Sequence, residues 1–248
     1  MTVAGKVVLV TGATSGIGLA IARLLASKGM VVFGCGRRSD RLEEITKEIL
    51  TSGGRFMPIE CNLRKTEDIA AMFERIRAHS GGVDVLINNA GLGHKAPLIS
   101  GDTEAWREML EVNVIALSIC TREAVADMRL RGDEGYVIHI SSMSAHRVPS
   151  SSGMYSASKF AVRSLTEGLR QELRAIDSRI RVSAISPGFV ETEFAERYSG
   201  SKEIALQTYS RYKVLEAEDI AKQALFLLET PIHMEIHDVL MRPTEQPN

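Results

Sequence analysis

The chain has 248 residues, generous for one domain and tight for two. Hydrophobic residues at 44% and charged residues at 25% are those of a folded globular chain and argue against disorder or low complexity. Thirty basic against thirty-one acidic side chains leave a net charge of -1, so nothing in the balance favours nucleic acid or an anionic membrane, and no apolar run approaches the ~20 residues of a spanning helix.

Taken in order, Lys6 to Val10 is a β-branched run closed by Thr11-Gly12, which reads as a strand buried on both faces. The stretch from Met1 to Gly12 is too short, and too quickly broken, for a signal peptide. Ile17 to Lys28 is a helix with Ile17, Ala20, Ile21, Leu24 and Leu25 on one stripe, stopped by Gly29. Met30 to Cys35 is strand and Arg41 to Leu50 helix; Arg55 to Glu60 is strand and Lys65 to His79 an amphipathic helix. Val83 to Ile87 is a fourth strand, ending at Asn88-Asn89-Ala90-Gly91, and Asp102 to Arg131 is a long helical region. Tyr136 to Ile140 is strand, Met154 to Ala175 a second long helix and Arg181 to Ile185 strand. Phe189 to Lys213 is irregular and rich in Tyr, Ser and Arg, Glu216 to Glu229 is the last helix, and Ile236 to Met241 the last strand. Strands separated by helices imply βαβ units with right-handed crossovers. The expected fold is α/β: a single doubly wound domain of Rossmann type over residues 1–248, with a seven-stranded parallel sheet and helices on both faces.

Cys35, Cys61 and Cys120 are odd in number, far apart and without a C-x-x-C, so neither a disulfide framework nor a zinc site is expected; a reducing, cytoplasmic compartment fits best. His233 and His237 flank the last strand without a ligand cluster and read as surface or interface residues, so no metal is expected.

After the first strand comes a glycine-spaced turn, Gly12, Thr14, Ser15, Gly16, Ile17 and Gly18. Glycines there allow the tight turn and close approach to a pyrophosphate, while the helix opening near Ser15 aims N–H groups and a positive dipole end at it. At the end of the second strand, where an NAD site wants a carboxylate, the chain has Gly36-Arg37-Arg38-Ser39. Guanidinium groups suit a 2′-phosphate, which points to NADP(H) through Arg37 and Arg38; the bland alternative is a solvated basic pair opening a helix.

Tyr155 and Lys159 form Y-x-x-x-K, one helical turn apart. The spacing recurs at Tyr198/Lys202 and Tyr209/Lys213, so it carries no weight alone. The first pair is set apart by position: it opens a long helix after a buried strand, Ser141-Ser142 and Ser150-Ser151-Ser152-Gly153, whereas the other two lie in the irregular segment, where exposed Tyr and Lys are ordinary.

Over nearly its whole length the sequence resembles the short-chain dehydrogenase/reductase family. The landmarks are T-G-x-x-x-G-I-G at Thr11 to Gly18, N-N-A-G at Asn88 to Gly91, Asn113, Ser142, Y-x-A-S-K at Tyr155 to Lys159 and P-G-x-V-x-T at Pro187 to Thr192. The resemblance implies that Ser142 bonds the reacting oxygen, Tyr155 gives or takes the proton, Lys159 also holds the nicotinamide ribose, and Asn113 anchors a water in the proton path. It further implies a cofactor wall that includes Asn89, Ala90, Gly91, Pro187, Gly188, Val190 and Thr192. Cys61-Asn62-Leu63 departs from the family's usual Asp-Leu or Asp-Val, although the Asn62 amide oxygen can still accept from adenine. Met241 to Gln246, Ala116 to Glu123 and Leu165 to Arg174 look like the branch holding animal and insect NADP-dependent hydroxysteroid, carbonyl and farnesol dehydrogenases. A related bacterial branch, acting on serine and short 3-hydroxy acids, ends similarly. By the same resemblance the two long helices pair across a homodimer or homotetramer.

A tyrosine of pKa about 10 is a poor base near neutrality, and lowering it by ~3 units takes about 4 kcal/mol. A charge about 4 Å away at an effective dielectric near 20 supplies that, so Lys159, helped by the cofactor's positive charge, is expected to lower Tyr155. His94, Met143, His146 and Phe189 sit beyond strand ends, where doubly wound sheets place ligands, and are either substrate-pocket lining or loop packing. Residues 189–213 are the expected substrate lid, and its aromatic residues favour an apolar small-molecule alcohol or carbonyl. The expected activity is an NADP(H)-dependent interconversion of a secondary or allylic alcohol and its carbonyl compound; a hydroxy-acid dehydrogenase, which would need Lys95, Arg147 or Arg211 in the pocket, and an idle dinucleotide-binding protein are the other readings.

Overall fold

The computed structural model describes residues 3–150 and 152–247; Met1, Thr2, Ser151 and Asn248 lie outside them, and with them parts of the leader and serine-turn readings. The elements are β1 (Val7–Thr11), α1 (Gly16–Ser27), β2 (Val31–Gly36), α2 (Ser39–Thr51), β3 (Arg55–Glu60), α3 (Thr66–Ser80) and β4 (Val85–Asn88). There follow α4 (Thr103–Leu110), a π-helical segment (Glu111–Ala116), α5 (Leu117–Leu130), β5 (Tyr136–Ile140) and α6 (Gly153–Ala175). The chain ends with β6 (Arg181–Pro187), α7 (Phe194–Ser199), α8 (Lys202–Tyr209), α9 (Ala217–Glu229) and β7 (Asp238–Met241). All seven strands are parallel, in the order β3-β2-β1-β4-β5-β6-β7, which is the doubly wound sheet the alternation predicts.

β1 shows why a continuous apolar run was the right signature. Val8 and Val10 point into one core, formed with α1, α2 and α9, while Val7 and Leu9 point into the other, formed with α3 and α5. Strand order reverses between β1 and β4, and a crevice opens beyond their carboxyl ends.

Several bounds differ from expectation by a residue or two, β4 beginning at Val85 instead of Val83 among them, and three differences stand apart. The region expected as one helix from Asp102 to Arg131 contains the π segment, whose wider turn faces Asn113 inward. The segment 189–213 is not irregular but holds the two short helices α7 and α8. The last strand begins at Asp238 instead of Ile236, because ladder pairing with β6 starts at Ala184–Asp238. Among the described residues no helix is long and apolar enough to cross a membrane, and no group of three or more His, Cys, Asp or Glu could hold a metal.

β5 carries a buried histidine next to the site. His139 contacts Thr121 at 3.2 Å through Nε2 and Thr166 at 2.9 Å through Nδ1. Burial, with the Lys159 and Arg170 charges, pushes its pKa down to about 3. A depressed histidine stays neutral when folded while the unfolded chain takes a proton below about pH 6.5, so stability is lost as pH falls. Urea unfolding between pH 6.5 and 5 is expected to show a loss of about 1.4 kcal/mol per pH unit from this residue. A His139→Gln variant, less stable at neutral pH, is expected to lose that slope; an unchanged slope means other groups cause it.

Candidate active site

The crevice is a cavity of about 1340 Å³ running from the β1–α1 turn to the segment after β6. At one end its wall holds Gly12, Thr14, Ser15, Gly16 and Ile17, with Arg37, Asn62 and Leu63 beside them and Asn89, Ala90 and Gly91 above β4. At the other end stand Ser142, Met143, His146, Tyr155 and Lys159, followed by Pro187, Gly188, Phe189, Val190 and Thr192. Four expected residues lie off this wall: Gly18, Arg38, His94 and Asn113.

The turn is shaped for close approach. Gly12 has φ +67°, and a Cβ there would lie 3.0 Å from Ala90 Cα and 3.1 Å from Asn89 Nδ2. At Gly16, with φ +53°, a Cβ would lie 3.1 Å from the Thr192 methyl. α1 starts at Gly16 behind Ser15 and carries no acidic residue in its first turn, so its N–H groups and dipole are left to an anion. Gly18 serves packing instead of ligand contact: a Cβ there would meet Asn89 Nδ2 and the Gly12 carbonyl, each at 2.4 Å.

The N-N-A-G wall is tied to β1 through Thr11. Its hydroxyl accepts from the N–H groups of Asn89 and Ala90, both at 3.0 Å, and Asn89 Nδ2 donates back to the Thr11 and Gly12 carbonyls at 2.9 and 3.2 Å. Asn88 turns the other way, donating to Thr121 Oγ1 at 2.9 Å. Arg38 lies behind the wall, its guanidinium donating to the Thr14 carbonyl and hydroxyl at 3.2 Å and pairing with Glu193 at 3.3 Å; of the two adjacent arginines, Arg37 is the one that lines the cavity. Asn62 Oδ1, expected to accept from adenine, accepts from the Arg64 N–H at 3.2 Å. A dinucleotide phosphate fits this cradle, since the glycines remove the atoms that would fill it and the unpaired helix end and Arg37 supply its counter-charge.

At the other end, Lys159 is buried on α6 and its Nζ donates to the Ile140 carbonyl at 3.0 Å. Burial pushes its pKa down to about 8, which still leaves it mostly an ammonium at neutral pH. Tyr155 moves opposite to expectation. Burial pushes the phenol up to about 12, with a Ser142 hydrogen bond pulling back and Tyr198 adding to the rise. Lys159 Nζ lies 5.9 Å from the centre of the phenol ring. Desolvation is the largest influence on the phenol, so Tyr155 is neutral near pH 7 in this chain.

Asn113 lies beneath the cavity. Its Nδ2 donates to the Leu92 carbonyl at 2.8 Å and to Ser158 Oγ at 3.0 Å, and its Oδ1 accepts from the Leu92 N–H at 2.9 Å. Both amide hydrogens are thus engaged by protein groups, and the residue ties α6 to the loop leaving β4. His94 points away from the cavity wall and pairs with Glu108 at 2.8 Å. His146 does line it, held by Asp238 at 2.9 Å, a partnership between distant residues that no local motif signals. Tyr198 and Tyr209, expected among the lid aromatics but in Y-x-x-x-K pairs of no catalytic weight, are both partly buried and engaged. The Tyr198 ring lies 6.1 Å from that of Tyr155, and Tyr209 Oη donates to the Thr192 carbonyl at 3.2 Å.

The family described as short chain dehydrogenase matches residues 6–203. Dehydrogenase/reductase SDR family member 11 of Bos taurus is 49% identical over 247 residues, 97% of each chain. Farnesol dehydrogenase of Aedes aegypti is 40% identical over 244 residues, 97% of this chain and 96% of that one. Among solved structures, the closed form of serine dehydrogenase complexed with NADP+ superposes with a TM-score of 0.92 at 31% identity, covering 98% of this chain and 96% of that one. The doubly wound sheet, the glycine cradle and the Ser142, Tyr155 and Lys159 group thus sit in a chain that belongs to the short-chain dehydrogenase family, an oxidoreductase acting on CH–OH groups.

Proposed function

We propose that this protein interconverts a hydrophobic secondary or allylic alcohol and its ketone or aldehyde using NADP(H), with Tyr155 as the acid–base group. The observation that carries this reading is one continuous cavity joining the phosphate cradle and Arg37 to a neutral phenol. A bound nicotinamide supplies the hydride or accepts it. In reduction, Tyr155 Oη gives its proton to the carbonyl oxygen while that oxygen also accepts from Ser142, and the C=O bond becomes CH–OH. Lys159, an ammonium at neutral pH, steadies the phenolate that remains. Oxidation reverses these proton movements, and the cofactor's positive charge favours the phenolate that must then take the alcohol proton.

The NADP preference is supported by Arg37 on the cavity wall and by the absence of a carboxylate at the end of β2. The apolar preference is supported by Phe194 and Tyr198 beside the phenol and by Phe189 and Met143 elsewhere on the cavity wall. A hydroxy-acid substrate is the second reading, because Lys95, Arg147 and Arg211 do line the cavity. Pairing through the long helices is proposed on the exposed apolar side chains Ile115, Phe160 and Leu165.

Following nicotinamide absorbance with farnesol, a hydroxysteroid, a 1,2-diketone, serine and 3-hydroxybutyrate separates the two readings; turnover confined to the last two overturns the apolar one. Tyr155→Phe is expected to lower kcat about a thousandfold while cofactor Kd stays nearly constant. Normal turnover in that variant removes Tyr155 from the chemistry. Arg37→Asp is expected to cut the kcat/KM preference for NADPH over NADH by about 10- to 100-fold, the worth of a charged hydrogen bond. An unchanged ratio means that Arg37 does not read the 2′-phosphate.

A further inference from the structure

Gly93 is buried where the chain leaves the N-N-A-G wall, and its backbone is outside the left-handed region, so no turn demands glycine there. What the position requires is space. A Cβ on Gly93 would lie 2.7 Å from Tyr198 Cδ2, 3.0 Å from Phe194 Cζ and 3.1 Å from Tyr155 Cδ2. Three rings thus converge on the volume of one missing methyl group. Phe194 and Tyr198 are four residues apart on α7 and present a shared face, with ring centres 6.0 Å apart and planes at 23°. That face covers the phenol: the Phe194 and Tyr198 ring centres lie 5.4 and 6.1 Å from that of Tyr155.

α7 is one short helix without a fully buried residue, packed beside α8 and joined at its N-terminus to Arg38 through Glu193. On the side that faces the phenol, the Lys95 N–H donates to the Tyr198 carbonyl at 3.1 Å and Gly93 leaves room for the two rings. The same rings line the cavity beside Tyr155, so a substrate group that enters on the lid side meets their faces.

We propose that Gly93 and Tyr198 form a fitted pair that sets the clearance above Tyr155 and makes the enzyme select slim, unbranched carbonyl compounds over fused-ring ones. The selectivity rests on the carbonyl chemistry proposed above. The clearance does not, and the two can fail separately.

The test compares wild type, Gly93→Ala, Tyr198→Ala and the double variant in the reduction of 2-octanone and trans-1-decalone. Tyr198→Ala is expected to raise the decalone-to-octanone ratio of kcat/KM about tenfold, the usual worth of a small steric misfit. Gly93→Ala is expected to raise KM about tenfold for both ketones with a smaller change in kcat, and the double variant to return to within about threefold of Tyr198→Ala. A ratio unmoved by Tyr198→Ala, or a Gly93→Ala defect that Tyr198→Ala does not relieve, overturns the proposal. If Gly93→Ala does not fold, the Tyr198→Ala ratio alone still decides. Trypsin nicking of the folded proteins at the exposed Arg197, Lys202 and Arg211 reads the lid without turnover. Gly93→Ala is expected to be cut about tenfold faster than wild type and the double variant more slowly than Gly93→Ala; equal rates overturn the fitted pair. If wild type reduces neither ketone, the selectivity falls with the carbonyl chemistry, while the nicking series still decides the pair.

Discussion

The Thr11 hydroxyl is the joint on which the site is built. β1 and β4 are neighbours only because the strand order reverses between them, and beyond that point no further ladder bond holds their ends together. Thr11 closes the gap by accepting from two N–H groups of the N-N-A-G wall, while Asn89 returns two bonds to the turn after β1. Gly12 and Gly18 let the backbones come close enough for those bonds to form. The phosphate cradle and the wall facing it are therefore one rigid piece, and the catalytic end is attached to that piece through Asn113, which grips Leu92 on one side and Ser158 on the other.

Within this frame the electrostatics follow from burial more than from pairing. Both members of the Tyr155 and Lys159 pair sit where water is scarce, and desolvation drives each toward its neutral form: the phenol upward and the ammonium downward. The ammonium stays charged at neutral pH because it begins far above neutrality and loses only part of that margin. The protein by itself thus favours the donor state of the tyrosine, and the acceptor state needs additional positive charge in the cavity.

Much of this was legible in the residues. The β-branched runs named all seven strands, and the spaced glycines, the N-N-A-G wall and Y-x-x-x-K fell at strand ends or helix starts, where their placement can be inferred locally. What was not legible arises from contacts between distant segments. α7 and α8 are six and eight residues long, too short for a periodic stripe to stand out against Tyr, Ser and Arg. Nothing near Tyr198 announces that it will meet a ring forty-three positions earlier. Gly93 carries no local signal, because its reason lies in three rings brought in from elsewhere. His94 and His146 seemed equivalent on loop position alone, and only the acid each one meets, Glu108 or Asp238, separates them.

The π segment also changes what the long helical rod can do. In a straight α-helix, one stripe of side chains keeps a single bearing from end to end. Bonding five residues back in place of four delays the rod by one residue between Glu111 and Ala116, so its two halves address different neighbours. The first half sends Trp106 and Met109 toward the loop after β4, where Trp106 Nε1 donates to the Ala96 carbonyl and Met109 Sδ accepts from the His94 N–H, while the second half sends Thr121 under the sheet to Asn88 and His139. A single rod thereby braces both the rim of the crevice and its floor, and Asn113 occupies the place where the bearing changes.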